Sequence, residues 1–233
     1  MLSAILHDVR AVKERDPAAR TTAEVILCYP GLHAVWGHRI THWLWHHNAK
    51  LPARFLAEII RKFTGVEIHP GAVLGSGVFI DHATGVVIGE TTEIGDNVTI
   101  YQGVTLGGTS LGRGKRHPTI EDDVTIGAGA KVLGAITIGE GSQIGSNSVV
   151  IKPVPPGAVV VGVPGQVVDR GKPAATETRS GSDQSKLPDP LGVSLQSLMM
   201  RVTRLEERDG APESGGAIRP PEAGVWHGED FVI

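Results

Sequence analysis

Between residues 66 and 165 large apolar side chains recur at every sixth position, a period that belongs neither to an amphipathic helix nor to an alternating strand. The recurring residues are Ile68, Leu74 and Ile80, then Ile88, Ile94, Ile100 and Leu106, then Ile120, Ile126, Val132, Ile138, Ile144 and Val150. All thirteen are aliphatic, seven are followed directly by glycine, and the position two before is mostly small or β-branched. Such a period predicts a short strand, a tight turn and the next strand at fixed spacing, with one large side chain per face pointing inward. Three faces close a triangular coil of about eighteen residues, and stacking coils pairs each strand with those above and below it. A parallel β-helix is therefore expected. A sandwich of short antiparallel strands has no reason to hold the period across two interruptions.

The interruptions carry information of their own. Ile80 to Ile88 is two residues too long, which puts Asp81-His82-Ala83-Thr84-Gly85 at a distorted corner. Leu106 to Ile120 is one repeat plus eight residues, so 108–118 is expected to leave the coil as a loop. Insertions on a regular solenoid are where function concentrates, and both irregular places hold a histidine, His82 and His117. Residues 1–64 instead show apolar positions at three-to-four spacing, punctuated by Pro30-Gly31 and Pro52, and predict a small helical domain. The β-helix is expected over 65–168. A polar Gly-, Pro- and Ser-rich tail follows over 169–233, with a short amphipathic helix at 194–208 carrying Leu195, Leu198, Met199, Val202 and Leu205.

Composition agrees with an aliphatic, repetitive architecture: 31 glycines, only 4% aromatic residues, and just Phe79 and Tyr101 of the ten aromatics inside the repeat region. A formal charge of −3 gives no electrostatic case for nucleic acid or an anionic membrane as partner. The single cysteine, Cys28, excludes an intrachain disulfide framework and a Cys-rich zinc site and suits the reducing cytoplasm. Charges interrupt every apolar run near the N-terminus, so neither a secretory signal nor a membrane span is expected.

The hexapeptide repeats, GVEIHPGA, DHATG, GVTLGGT, KRHP and KPVPPGAVVVGVPG, with ERDPAA and CYPGLHAVWGHR upstream, together resemble the serine O-acetyltransferases over residues 1 to about 168. The resemblance implies a left-handed parallel β-helix behind an α-helical N-terminal domain, and acetyl transfer from acetyl-CoA to L-serine without a metal. It implies His82 as general base, a task imidazole suits near neutral pH. Glu67, fifteen residues earlier and thus near one coil away, is the carboxylate expected to orient it, although the family's usual residue there is Asp. Asp81 and Asp16 are expected to face the substrate ammonium, and Arg116 and His117 its carboxylate or hydroxyl. For Asp16 a helix cap before Pro17 is an equally good and compatible reading. Gly107, Gly108, Ala128 and Ser146 match the family's coenzyme groove, though β-helix corners need small residues in any case. Lys131 and Lys152 could meet coenzyme phosphates, but a solvated side chain is the simpler reading of each.

The family assembles as trimers or dimers of trimers with sites between subunits, and is commonly inhibited by L-cysteine. Its C-terminal isoleucine, here Ile233, inserts into O-acetylserine sulfhydrylase, a terminal carboxylate and one apolar side chain mimicking an amino acid. Two rivals share the scaffold. Metal-dependent carbonic anhydrases need a close histidine pair that His69, His82 and His117 do not supply, and sugar acetyltransferases lack the RHP loop and the helical domain. His38, His42 and His46 fall on one helical face, where a polar strip beside Trp36, Trp43 and Trp45 is the simpler reading than a metal site.

Overall fold

A computed structural model describes residues 2–168 and 198–202. Four helices come first: α1 (Leu2–Arg15), α2 (Thr22–Cys28), α3 (Pro30–His46) and α4 (Lys50–Thr64). Their ends have local causes. The Thr21 hydroxyl accepts the Glu24 N–H and caps α2. Pro30 opens α3, where a missing N–H costs nothing, and Pro52 sits within the first turn of α4. Gly65, at φ 74°, ends α4 in the left-handed conformation with its N–H on the Arg61 carbonyl.

Fifteen strands of two or three residues follow. They are β1 (Glu67–Ile68), β2 (Val73–Leu74), β3 (Phe79–Ile80), β4 (Val87–Ile88), β5 (Glu93–Ile94), β6 (Thr99–Ile100), β7 (Thr105–Gly107) and β8 (Thr119–Ile120). Then come β9 (Thr125–Ile126), β10 (Lys131–Leu133), β11 (Thr137–Ile138), β12 (Gln143–Ile144), β13 (Val149–Val150), β14 (Val159–Val161) and β15 (Gln166–Val168). Every third strand stacks on one face: β1-β4-β7-β10-β13 on the first, β2-β5-β8-β11 on the second, β3-β6-β9-β12-β14-β15 on the third. All pairs are parallel except the last, where β15 folds back antiparallel on β14 and closes the stack.

The thirteen positions of the six-residue period each lie on their own strand, Ile68 on β1 through Val150 on β13, and all are buried except Leu74, which is partly buried against the same core. The positions two before them, including Val66, Ala72, Val78, Val98 and Val124, are buried too, save Ile136, which is partly buried against the same core, so each repeat turns two side chains inward. The helices pack on the first coil. Ala34, Val35 and Ile60 join the β-helix core, and at Gly31 of α3 a Cβ would stand 2.0 Å from the Ile80 carbonyl oxygen, so only glycine lets the helix lie this close to β3. Fully buried Asp8 of α1 holds the junction. Its carboxylate accepts from the Arg39 guanidinium of α3 and from the Gly77 N–H just ahead of β3, both at 3.0 Å.

Residues 198–202 are helical. The remainder of the expected helix at 194–208, the rest of the tail and Ile233 lie outside the described residues.

Candidate active site

The chain turns from the third face to the first through a stack of corners, and one of them is longer than the rest. Six residues, 81–86, separate β3 from β4, where the next coil uses four between β6 and β7. The two extra residues are accommodated by His82 and Ala83 in the left-handed region, at φ 56° and 57°. Of the six non-glycine residues with positive φ among those described, the other four are Asn or Asp, which tolerate it; an imidazole and a methyl there cost about 1–2 kcal/mol each. The distortion turns the His82 side chain outward, 70% exposed, while Ala83 is buried.

Carboxylates gather beside this corner. Asp81 accepts the His82 N–H at 2.9 Å, and its other oxygen lies 3.6 Å from His82 Nε2, close enough for attraction and too long for a hydrogen bond. Burial raises the Asp81 carboxyl above its ordinary range, the nearby Asp16 carboxylate adds to this, and His82 opposes it. Asp16, just after α1, caps no helix: it accepts the Ala18 N–H at 2.8 Å in a side-chain turn and takes the Tyr29 phenol on its second oxygen. Burial and that bond push the Tyr29 hydroxyl well up, so it remains a donor. Two partly desolvated carboxylates of one sign favour a small cation between them.

Glu67 flanks the same vertex one coil earlier. The Gly85 N–H bonds the Gly65 carbonyl at 3.0 Å, stacking the His82 corner on the chain two residues before Glu67. Glu67 itself is exposed, pairs in the ladder with Val87, and lines a groove with Arg54, Phe55, Glu58 and Arg61 of α4. No ion pair within 4.0 Å joins it to His82 among the described residues; the carboxylate nearest that imidazole is Asp81.

A second cluster occupies a different vertex, between the first and second faces. The inserted loop leaves β7 there and returns through Arg116 and His117. The Arg116 guanidinium bonds the Glu90 carboxylate, which is held below its ordinary range by that contact. His117 is buried and its ring lies across Gly89, where a Cβ would come 2.0 Å from Cδ2 and 2.1 Å from Nε2. Thr91 contacts it on the other edge: the Thr91 N–H reaches Nδ1 at 3.2 Å and Oγ1 lies 2.9 Å from the same nitrogen. Burial first, then the Arg116 charge, hold the His117 imidazole below its ordinary value, so it is neutral at pH 7. His69 belongs to the same neighbourhood, pushed down to about 4 by burial and by the Arg54 charge.

The four expected coenzyme residues divide between these vertices. Gly107 ends β7 and Gly108 follows it beside His117, whose Nε2 would be 3.3 Å from a Cβ on Gly108. Ala128 and Ser146 stack below the His82 corner, the Asn147 N–H bonding the Ala128 carbonyl at 2.8 Å. Lys131 is no solvated cation: its ammonium bonds the Gly103 and Gly129 carbonyls and ties two successive corners of that stack. One chain thus brings Asp16, Asp81 and His82 together, and separately Arg116, His117, Gly107 and Gly108, but does not bring the two groups together. Gly89 shows in the sequence only as a repeat glycine and Tyr29 only as part of CYPGLHAVWGHR, and neither Glu90 nor Thr91 stands out there. A signal for the last two exists: Glu90 to Arg116 and Thr91 to His117 are each 26 residues apart, one coil plus the eight inserted residues.

Comparison with known proteins decides the family. A model described as the serine acetyltransferase N-terminal region matches residues 1–36, and one for bacterial transferase hexapeptide repeats matches 117–152. Across all 233 residues, and the whole of both chains, the sequence is 64% identical to the serine acetyltransferase of Mycobacterium tuberculosis. The chain belongs to the serine acetyltransferase family. The enzyme is accordingly an acyltransferase, and it is 53% identical over 201 residues to the Bacillus subtilis member, covering 86% of this chain and 91% of that one. Among solved structures, the Neisseria gonorrhoeae serine acetyltransferase matches with TM-score 0.71 and 46% identity, over 72% of this chain and 66% of that chain. The same protein in complex with serine matches with TM-score 0.70, and a serine acetyltransferase in complex with cysteine with 0.72. The enzyme shares their left-handed parallel β-helix behind N-terminal helices. Among the described residues no group of three His, Cys, Asp or Glu is arranged to hold a metal ion, and no helix is long and apolar enough to cross a membrane. His38, His42 and His46 do share one face of α3, with ring centroids 5.4 and 4.4 Å apart.

Proposed function

We propose that the enzyme transfers the acetyl group of acetyl-CoA to the hydroxyl of L-serine, giving O-acetyl-L-serine and free coenzyme A, in the cytoplasm. The observation that carries this reading is the distorted corner, which aims an exposed imidazole outward beside two carboxylates suited to an ammonium. Asp81 and Asp16, with the Tyr29 phenol fixing one Asp16 oxygen, take the substrate ammonium. His82 takes the hydroxyl proton as the serine oxygen attacks the thioester carbonyl. The C–S bond breaks, and the departing thiolate recovers that proton from the imidazolium. Backbone N–H groups at Gly107 and Gly108, which share the vertex of Arg116 and His117 and so come from the neighbouring subunit, meet the developing oxyanion, and Ala128 and Ser146 leave room for the coenzyme along the same vertex as His82. Glu67, stacked one coil above, orients His82. Transfer is direct within a ternary complex: among the described residues neither Cys28, an exposed free thiol, nor Ser110, whose hydroxyl accepts the Gly112 N–H, has a base beside it.

The carboxylate end of L-serine falls to Arg116 and His117, and these come from the neighbouring subunit of a homotrimer, alone or paired as a dimer of trimers. Arg116 gives one N–H group to Glu90 and keeps others to fork onto a carboxylate. L-cysteine, an amino acid of nearly the same shape, competes for that pocket. Ile233 carries binding to O-acetylserine sulfhydrylase, and deleting it is expected to abolish that complex and leave acetyl transfer intact. The deciding experiment is thiol release from acetyl-CoA with L-serine, L-homoserine, a galactoside or buffer. Release that needs L-serine and is suppressed by L-cysteine supports the reading, and release with the sugar alone overturns the substrate assignment.

A further inference from the structure

The environment of His117 determines which of its nitrogens carries the proton, and Thr91 accounts for it. The Thr91 hydroxyl has one hydrogen and two lone pairs. Both lone pairs are engaged, by the Arg116 N–H at 3.0 Å and the His117 N–H at 3.1 Å. The hydroxyl hydrogen must then go to the remaining close atom, His117 Nδ1 at 2.9 Å, and the Thr91 N–H points at that same nitrogen from 3.2 Å. Two donors converge on Nδ1, so Nδ1 carries no hydrogen and the proton of the neutral ring is on Nε2. No hydrogen bond among the described residues engages Nε2, which lies between Gly89 and Gly108. The Thr91 carbonyl also accepts the Lys115 ammonium at 2.9 Å, so three consecutive residues at the end of the inserted loop, 115 to 117, are bonded to this one threonine.

We propose that Thr91 is a positioning residue that locks His117 in the Nε2–H tautomer and thereby makes it a hydrogen-bond donor, not an acceptor, toward the bound amino acid. The inference rests on the acetyl-transfer reading for the identity of the ligand, but the tautomer itself does not. A donor at this place suits a carboxylate or the serine hydroxyl oxygen, and it cannot accept the hydroxyl proton, which leaves His82 as the sole base of the pair. Valine in place of Thr91 keeps the shape and removes the hydroxyl, leaving Nδ1 with one donor and two backbone N–H groups without their acceptor.

The test uses the full chain labelled with nitrogen-15 at histidine. Long-range nitrogen–proton spectra of the unsubstituted enzyme, assigned with His117→Gln, are expected to show the Nε2–H form; a protonated Nδ1 overturns the proposal outright, whatever the activity. In Thr91→Val the same signal is expected to shift toward mixed tautomers while kcat/KM for L-serine falls about 10- to 100-fold, and Thr91→Ser is expected to restore both. Loss of activity in Thr91→Val with the Nε2–H signal unchanged means that Thr91 only anchors the loop, and the proposal fails. Should the unsubstituted enzyme show no serine-dependent thiol release, the substrate reading fails while the spectra still decide the tautomer.

Discussion

His82 sits in a backbone conformation that its residue type disfavours, and the neighbouring Ala83 shares it, so the corner is held by what surrounds it and not by local preference. That strain turns the imidazole outward. Substituting His82→Ala is expected to lower serine-dependent thiol release by about 10²- to 10⁴-fold, the usual contribution of a general base, with acetyl-CoA binding by calorimetry retained. Near-normal turnover would remove the base assignment. The orienting carboxylate is open to a direct comparison, since Asp81 is 3.6 Å from the ring and Glu67 makes no ion pair with it. If Glu67 orients His82, Glu67→Gln lowers kcat with little change in the serine KM, whereas Asp81→Asn acts mainly on KM. A third substitution tests the opposite vertex. A Cβ at Gly89 would overlap the His117 ring, so Gly89→Ala displaces it by an ångström or so and is expected to cost on the order of 10²-fold in kcat/KM for L-serine. The histidines were legible because they fall where the period breaks. Tyr29 and Gly89 were not, because nothing in their local sequence says that a carboxylate or an imidazole from elsewhere will lie against them.

At the scale of elements, no strand among the described residues has more than three residues, and none would persist alone. What holds each is the neighbour one coil away, which is why a sequence period predicts the burial of every inward position while ordinary strand patterning predicts none. The helices are different. α3 carries His38 into the junction with α4 and the first coil, where the side chain is buried and its Nδ1 has no hydrogen-bond partner. Burial first, then the His42, Arg39 and His69 charges, push His38 down to about 3 against a backbone hydrogen bond involving Ala72. The sign follows directly. The unfolded chain binds this proton near pH 6.5 and the folded one does not, so the stability is complete above that pH and falls as the pH drops from about 6.5 toward about 3. Urea midpoints measured from pH 7 to 4 should decline, and His38→Gln or Asn should flatten the decline. An unchanged slope would mean that other groups dominate acid unfolding. The sequence shows three histidines on one helical face but not which of them the β-helix covers.

For the whole molecule, the separation of the two clusters onto different vertices carries the strongest consequence. A site that needs both must draw them from two copies of the chain. Mixing two inactive chains, one His82→Ala and the other Arg116→Ala, by co-expression should therefore restore on the order of a quarter of the unsubstituted activity, since random trimers place one intact pair in each hybrid. No recovery would mean that each chain builds its own site. The same measurement with sedimentation separates a trimer from a dimer of trimers.

What the sequence determined alone is everything that repeats or breaks a repeat: the coil, its thirteen inward aliphatics, the loop at 108–118 and the two histidines at the interruptions. A solenoid is nearly one-dimensional, so contacts follow from position along the chain and can be counted off. Only the tertiary structure decided the rest. It showed which vertex each group occupies, that Asp16 meets Tyr29 across thirteen residues, that Arg116 is paired with Glu90, and that Thr91 reads the His117 ring. The 26-residue spacing permits Arg116 and His117 to lie over Glu90 and Thr91, but whether the inserted loop folds back that way, and how the helical layer meets the coil, is decided by packing.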